Sequence, residues 1–184
     1  MELKNKAICV YGASRSNIDE CYKEAAFAVG RLIAGAGRQL VCGGGRGGLM
    51  AAAIDGALDA GGETIGVLPD FMVEKGWQHD RLTSMITAPD MHTRKRTMAS
   101  LSAAAIALPG GVGTLEELLE IITWRQLGLF GGNVVILNTA GYYDPLLEML
   151  GKVISQGFMR GSKKLWGVAA GPEEAVVMAL EGLE

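Results

Sequence analysis

The sequence predicts an α/β protein whose sheet is Rossmann-like, doubly wound and mainly parallel, with helices on both faces. Short apolar, β-branched runs alternate with helical patterns along the whole chain, as in successive β-α-β units. Glycines gather where predicted strands pass into helices, which is where such sheets bind ligands. With 184 residues, 49% of them hydrophobic, we expect a single domain over residues 1–184.

The elements follow in order along the chain. Apolar runs between turn signals predict strands at 7–11, 39–42, 64–68, 84–87, 104–108 and 134–137. Helical periodicity predicts helices at 19–34, 48–60, 91–100, 114–127, 145–156 and 172–180. Glycines mark three strand-to-helix turns, at Gly12, from Gly43 to Gly48 and from Gly110 to Gly113. Because parallel strands end at one edge of the sheet, these turns should line one cleft.

Composition narrows the function. Lys and Arg number 17 against 20 Asp and Glu, and this net charge of −3 argues against non-specific binding to nucleic acid or an anionic membrane. The apolar stretch 102–109 is shorter than the roughly 20 residues of a membrane span, and 1–6 lacks a signal-type segment, so we expect a cytosolic protein. Cys9 and Cys42 lie in apolar runs and should be buried and inert. His79 and His92 are too few for an imidazole-rich metal site.

A GxGxxG pattern formed by Gly43, Gly45 and Gly48 directly follows a predicted strand, as in dinucleotide-binding sites. An acidic residue about 20 positions later should then bind a ribose. Glu63 precedes the 64–68 strand, however, and Asp70 comes somewhat late. The pattern therefore favours a mononucleotide over a dinucleotide, with glycines that let the backbone approach a phosphate closely.

The segment from Pro109 to Glu117, PGGVGTLEE, leads from the 104–108 strand into a helix. Thr114 can cap that helix with Glu117 at the capping-box position, which is a purely structural explanation. It leaves the three preceding glycines unexplained. The helical projection predicts a buried stripe of Leu115, Leu118, Leu119 and Ile122. Glu117 lies off this stripe, where its carboxylate could reach a ribose or a water.

The predicted helix at 91–100 places Arg94 on one face with Met91, Met98 and Leu101. A buried arginine should meet a carboxylate or a phosphate, because an unpaired buried charge is costly. Arg94 is therefore either a ligand-binding group or half of a structural ion pair. Lys95 and Arg96 should turn progressively outward.

Together these segments resemble the Lonely Guy (LOG) family of phosphoribohydrolases, known for activating cytokinin ribotides and long described as lysine decarboxylases. The resemblance spans nearly the whole chain. Besides the GGG turn and the Pro109 to Glu117 motif, it rests on YGAS at 11–14, GLM at 48–50, MHTRK at 91–95, TWRQLG at 123–128 and GYYDPLL at 141–147.

The resemblance implies hydrolysis of the N-glycosidic bond of a nucleoside 5′-monophosphate, AMP or a cytokinin-type N6-substituted AMP, with Arg94 and Glu117 as catalytic residues. It implies that the substrate is bound by Ser14, Gly44, Gly45, Met91, Lys95, Gly110, Gly111, Gly113 and Thr114. A carboxylate suits this reaction because it stabilises an oxocarbenium-like transition state, and Arg94 would keep it ionised. No metal or organic cofactor is needed.

Some positions depart from the usual family pattern and leave the base open. Thr93 stands where a glutamate is common, Arg96 and Thr97 replace the frequent Ala-Glu, and Ala103 replaces a common aspartate. The alternative function is a non-catalytic carrier of a phosphorylated ligand such as molybdenum cofactor, which has no evident use for a carboxylate beside a ribose. Lysine decarboxylation is rejected, because its usual cofactor, pyridoxal phosphate, needs a Schiff-base lysine.

The family resemblance also implies dimers or larger assemblies. Apolar residues beyond the expected stripes point the same way, namely Met91, Met98, Trp124, Leu127 and Leu129. A two-fold pair is the commonest way to cover such a surface, so we expect a homodimer with its active sites at or near the interface. Arg96 or Arg125 could then reach the neighbouring site.

Overall fold

A computed structural model describes residues 7–159 and 164–183, which form an α/β fold with seven strands and seven helices. The strands are β1 (Ala7–Tyr11), β2 (Leu40–Cys42), β3 (Thr64–Pro69), β4 (Ser84–Ala88), β5 (Ser102–Ala107), β6 (Asn133–Leu137) and β7 (Gly167–Ala169). The helices are α1 (Glu20–Gly35), α2 (Gly48–Asp59), α3 (Asp70–Glu74), α4 (Met91–Leu101), α5 (Val112–Leu127), α6 (Asp144–Ser155) and α7 (Pro172–Leu180).

All the strands pair in parallel in the order β4-β3-β2-β1-β5-β6-β7. The chain builds outward from β1 to β4 and then returns to the other side of β1 with β5. This reversal places a topological switch point between β1 and β5, and a crevice opens there at the carboxyl ends of the strands.

Alternate residues of the central strands supply two separate cores. In β1, Ile8 and Val10 pack with helices α1, α2 and α7, whereas Cys9 and Tyr11 pack with α4 and α5. Because side chains alternate across a strand, one short apolar run serves both faces. Helices therefore cover both faces of the sheet, and the predicted fold class is confirmed.

Every predicted strand and helix is present, with boundaries that match or differ by at most two residues. Three short elements of the described chain were not predicted: the edge strand β7, the five-residue helix α3 and a 3-10 turn at Thr139–Gly141. Cys9 and Cys42 are buried as expected, and burial raises the pKa of the Cys42 thiol to about 12. In the part of the chain described, no helix is long and apolar enough to cross a membrane.

Two expectations about side-chain direction were wrong. Leu119 is 42% exposed, and Ile121 takes the inward position instead. At the start of the same helix Thr114 packs inward beneath Gly110, where a Cβ would lie 2.1 Å from the threonine Oγ1. Lys95 does not turn outward but is only 6% exposed, since carboxylates of α5 neutralise it.

Candidate active site

A cavity of about 930 Å³ opens at the carboxyl ends of the central strands. This volume lies near the upper end of the range of about 300–1,000 Å³ usual for small-molecule sites. All three glycine-rich turns contribute to its walls, through Gly12 after β1, Gly43 and Gly45 after β2, and Gly111 and Gly113 after β5. The prediction of one shared cleft is confirmed.

The N-terminus of α5 faces this cavity. The helix begins at Val112 with Gly111 as its N-cap, and Leu115 N–H donates to the Gly111 carbonyl at 3.0 Å. The amides of residues 112–114 precede that bond, so they are donors without an intrahelical acceptor at the positive end of the helix dipole. This turn is built to hold an anion such as a phosphate.

The capping-box explanation of Thr114 is wrong. Thr114 is the third residue of α5 rather than its cap, and it is 5% exposed on the cavity wall. Gly110 does not line the cavity, but its missing side chain gives Thr114 room to pack beneath the turn.

Two tyrosines after β6 hold the glycine turn in place. Tyr142 Oη donates to the Gly110 carbonyl at 2.6 Å, and Tyr143 Oη donates to the Leu108 carbonyl at 2.7 Å. Their rings meet edge to face with centroids 5.0 Å apart. Burial raises the pKa of Tyr143, so its phenol stays protonated and donating. The GYYDPLL segment thus supports the turn at residues 108–111 before α5, a role that its sequence alone did not indicate.

Arg94 and Glu117 form an ion pair on the cavity wall. Arg94 Nη1 donates to Glu117 Oε1 at 2.8 Å, with the two side chains 7% and 12% exposed. Arg94 Nε also donates to the Val67 carbonyl of β3 at 2.9 Å. The guanidinium lies against Gly43, where a Cβ would stand 1.9 Å from Nη2. Arg94 is therefore paired with a carboxylate and also faces the cavity, and its role in binding a ligand stays a prediction.

The charge of Glu117 is set by two opposing effects. Burial raises the pKa of Glu117 above the ordinary value for a glutamate, and the hydrogen-bonded Arg94 offsets this only in part. Desolvation of the carboxylate is thus the larger of the two effects. A carboxylate with a raised pKa is a stronger base, which suits a group that handles a proton.

Lys95 lies behind this pair and does not line the cavity. Its Nζ donates to Glu116 and, at 3.1 Å, to Glu120 on the outer turns of α5. Burial alone would lower the pKa of Lys95, but the two carboxylates outweigh it and raise the pKa. Protonated Lys95 thus links α4 to α5 through two glutamates that lie on either side of Glu117 in the sequence. It is not a free amine that could form a Schiff base.

The GxGxxG turn does not offer an anion site of the dinucleotide kind. The amides of Leu49 and Met50, at the start of α2, both donate to the carbonyl of Ala13, at 2.9 and 3.2 Å. The loop after β1 thereby occupies the donors that would hold a pyrophosphate. Gly48 permits this closeness, since its φ is +63° and a Cβ would lie 2.4 Å from the Ala13 oxygen.

The sequence-predicted substrate residues divide into two groups. Those on the cavity wall are Ser14, Gly45, Met91, Gly111, Gly113 and Thr114. Gly44, Lys95 and Gly110 lie behind the wall; Gly44 has a φ of +68° and packs against Leu68. Wall residues that sequence reasoning did not single out are Arg15, Ser16, Arg46, Met50, Leu68, Met72, Trp77 and Glu116. Half of them, namely Arg15, Ser16, Arg46 and Trp77, stand in irregular segments, where no periodicity marks them.

Fold and site together define a Rossmann-like protein in which a helix N-terminus suited to an anion lies beside an Arg-Glu pair. Residues 50–178 match the model of the family described as "Possible lysine decarboxylase". The chain is 39% identical over 176 residues to the cytokinin riboside 5′-monophosphate phosphoribohydrolase LOG5 of Arabidopsis thaliana, covering 96% of this chain and 77% of the relative. It is 38% identical over 176 residues to LOG of Oryza sativa subsp. japonica, covering 96% and 73%. The chain belongs to the LOG family.

Solved structures with the same fold include the molybdenum cofactor carrier protein of Chlamydomonas reinhardtii. That likeness has a TM-score of 0.74 at 26% identity and covers 97% of both chains. A second is the molybdenum cofactor binding protein of Rippkaea orientalis, with a TM-score of 0.72 at 24% identity over 94% of both chains. The second likeness shows the fold alone.

Proposed function

We propose that the protein hydrolyses the N-glycosidic bond of a nucleoside 5′-monophosphate, AMP or an N6-substituted AMP, and releases free base and ribose 5-phosphate. The observation that carries this proposal is the Arg94–Glu117 pair, 2.8 Å apart, on the wall of a cavity that also holds a helix N-terminus. The curated relatives at 38–39% identity are phosphoribohydrolases of cytokinin riboside 5′-monophosphates.

The spacing along α5 fits such a substrate. With the 5′-phosphate on the amides of residues 112–114, Glu117 lies about one helical turn further along, roughly 5 Å down the axis. A ribose joined to that phosphate would extend toward Glu117. The anion site and the carboxylate thus share one rigid helix, so their separation does not depend on loop movement.

The chemistry follows from these two side chains. As the bond between C1′ and the base nitrogen breaks, its electron pair leaves with the base and positive charge builds on the sugar. The Glu117 carboxylate stabilises that charge and takes a proton from the water that attacks C1′. The proton then passes to the departing base, so the products balance. Arg94 holds Glu117 in position and does not itself exchange a proton.

Incubating the protein with AMP and with adenosine, and separating the products by chromatography, tests the proposal. We expect adenine and ribose 5-phosphate from AMP and no product from adenosine, because the anion-binding turn needs the phosphate. Equal rates on the two substrates would contradict the proposal. Tight binding of phosphorylated ligands without any turnover would instead favour the carrier function named for the structural relatives.

We propose further that the protein is a cytosolic homodimer with its active sites near the interface. Large apolar side chains stay exposed on α5 and just after it, with Leu119 at 42%, Leu127 at 66% and Leu129 at 72%. Such a surface is typical of an interaction site. The free cysteines of the described chain suit a reducing compartment.

Other residues from which we expected a dimer contribute less. Met98 is 1% exposed, and Trp124 packs on the core beneath α5. Arg125 is held within its own chain by Gly132 and by Asn133 Oδ1 at 3.2 Å, whereas Arg96 is exposed. Light scattering during size exclusion tests the dimer: a mass near 19.4 kDa at micromolar concentration would contradict it.

A further inference from the structure

We infer that Trp77 stacks on the nucleobase and forms the base-binding wall of the site. The inference rests on the proposed function for the identity of the ligand. It assigns the base-binding wall to a segment that we call the strap, residues 70–79, which runs from α3 to the turn before β4.

The strap is fixed to the turn after β2 by backbone hydrogen bonds on either side of Trp77. Arg46 N–H donates to the Trp77 carbonyl at 3.0 Å, and His79 N–H donates to the Gly44 carbonyl at 2.8 Å. Gln78 forms an antiparallel bridge with Gly45 between them. The backbone of Trp77 is therefore held at the rim of the cavity and is not part of a free loop.

The surroundings of the indole suit a flat aromatic ligand. Trp77 lines the cavity while 44% exposed, and Lys75 Nζ lies 5.0 Å from its ring centroid. Its cavity neighbours Met50 and Met72 are apolar and polarisable. A large aromatic surface presented to a cavity among thioethers binds a base by stacking, because every base offers a π-face.

The position of the strap matches the base end of the substrate. The anion-binding turn follows β5 and the strap follows β3, and these strands lie three places apart in the order β3-β2-β1-β5. Three strand spacings are about 14 Å. Arg94 lies between, bonded to the β3 carbonyl of Val67 and packed against Gly43 after β2. Phosphate, sugar and base then meet the helix terminus, the ion pair and Trp77 in turn.

Kinetics of Trp77→Leu and Trp77→Phe test the inference. Base-aromatic stacking contributes about 1–3 kcal/mol, which corresponds to a rise in KM for AMP of about 5- to 150-fold for Trp77→Leu. We expect kcat to change by less than about threefold and Trp77→Phe to recover most of the loss. The matched control is Phe71→Leu, because Phe71 is 43% exposed on the same strap and also contacts Lys75 but does not line the cavity.

A ligand without a base separates stacking from general damage. Ribose 5-phosphate should inhibit wild type and Trp77→Leu with the same constant, because it keeps the phosphate and sugar but has nothing to stack. The inference is overturned if AMP affinity of the folded Trp77→Leu variant stays within about twofold of wild type. It is equally overturned if ribose 5-phosphate binding weakens by the same factor as AMP binding.

Calorimetry on the Glu117→Gln protein keeps this test independent of turnover. Loss of AMP affinity on adding Trp77→Leu, with ribose 5-phosphate unaffected, supports stacking even if wild type releases no base. In that case the hydrolase proposal fails and the stacking inference stands. If wild type releases base but the double variant binds AMP as tightly as Glu117→Gln alone, the stacking inference fails and the hydrolase proposal stands.

Discussion

Replacing Gly43 by alanine tests whether the position of Arg94 matters for turnover. The new Cβ would stand 1.9 Å from Arg94 Nη2 and 3.2 Å from its Cζ, whereas ordinary contacts need about 3.5 Å. The guanidinium must therefore shift by about 1.5 Å. Its bond to Glu117, now 2.8 Å, then leaves the range of a good hydrogen bond. Because a misplacement of about 1 Å can cost roughly 100-fold, we expect kcat to fall by about that factor.

The assay is adenine release from AMP, with circular dichroism and thermal melting to establish that the variant folds. Gly151→Ala is the matched control: it makes the same chemical change on α6, where a Cβ meets nothing within 4 Å. That variant should keep full activity and equal or higher stability, since alanine favours a helix. Near-normal turnover in folded Gly43→Ala would refute the reasoning, because Arg94 could then act from a displaced position.

Three further results are expected. Glu117→Gln and Arg94→Ala should each lower kcat for AMP by at least about 100-fold. Arg94→Ala should also melt at a lower temperature, because it leaves a buried carboxylate unpaired. Retained turnover in either folded variant would favour the carrier function. The acid limb of the kcat/KM pH profile should have its midpoint above the ordinary glutamate pKa of about 4.3. Burial raises the pKa of Glu117, so this carboxylate becomes protonated and inactive at a higher pH than an ordinary glutamate. A midpoint at or below that value contradicts the prediction. Tyr142→Phe loses the 2.6 Å bond to Gly110 and should raise KM about 2- to 10-fold, and an unchanged KM would mean that the turn holds without it.

The regular part of the fold was predictable because the apolar period of each long element is set by the residues themselves. β1 and β5 read as continuous apolar runs because they are buried on both faces. The strand β7 has only three residues, GVA, at the sheet edge, and α3 has five. Segments that short contain too few periods for a pattern to be distinguished from chance. The equally short β2 was predicted only because the glycine turn that follows it marks its end.

The site was predictable to the extent that local rules determine it. Helical projection placed Arg94 inward because Arg94 shares its helix face with the apolar side chains of Met91 and Met98, and an apolar face packs on the core. The same projection misplaced Lys95, since what neutralises Lys95 is a pair of glutamates more than 20 residues further along the chain. Trp77 went unnoticed because the strap has no period, and only the fold shows that it meets the turn after β2.

The Ala13 carbonyl at the start of α2 acts as an internal competitor. It belongs to the same chain as the two amides that it occupies, so a free anion would have to compete with an acceptor that the fold already holds beside them. A pyrophosphate seeking the GxGxxG turn would first have to displace part of the chain itself. Remodelling residues 13–16 so that this carbonyl points away would free the two amides. The unchanged GxGxxG sequence could then donate hydrogen bonds to the pyrophosphate of a longer nucleotide. What keeps this turn from offering its amides to a pyrophosphate thus lies about 30 residues upstream of the GxGxxG glycines, at Ala13.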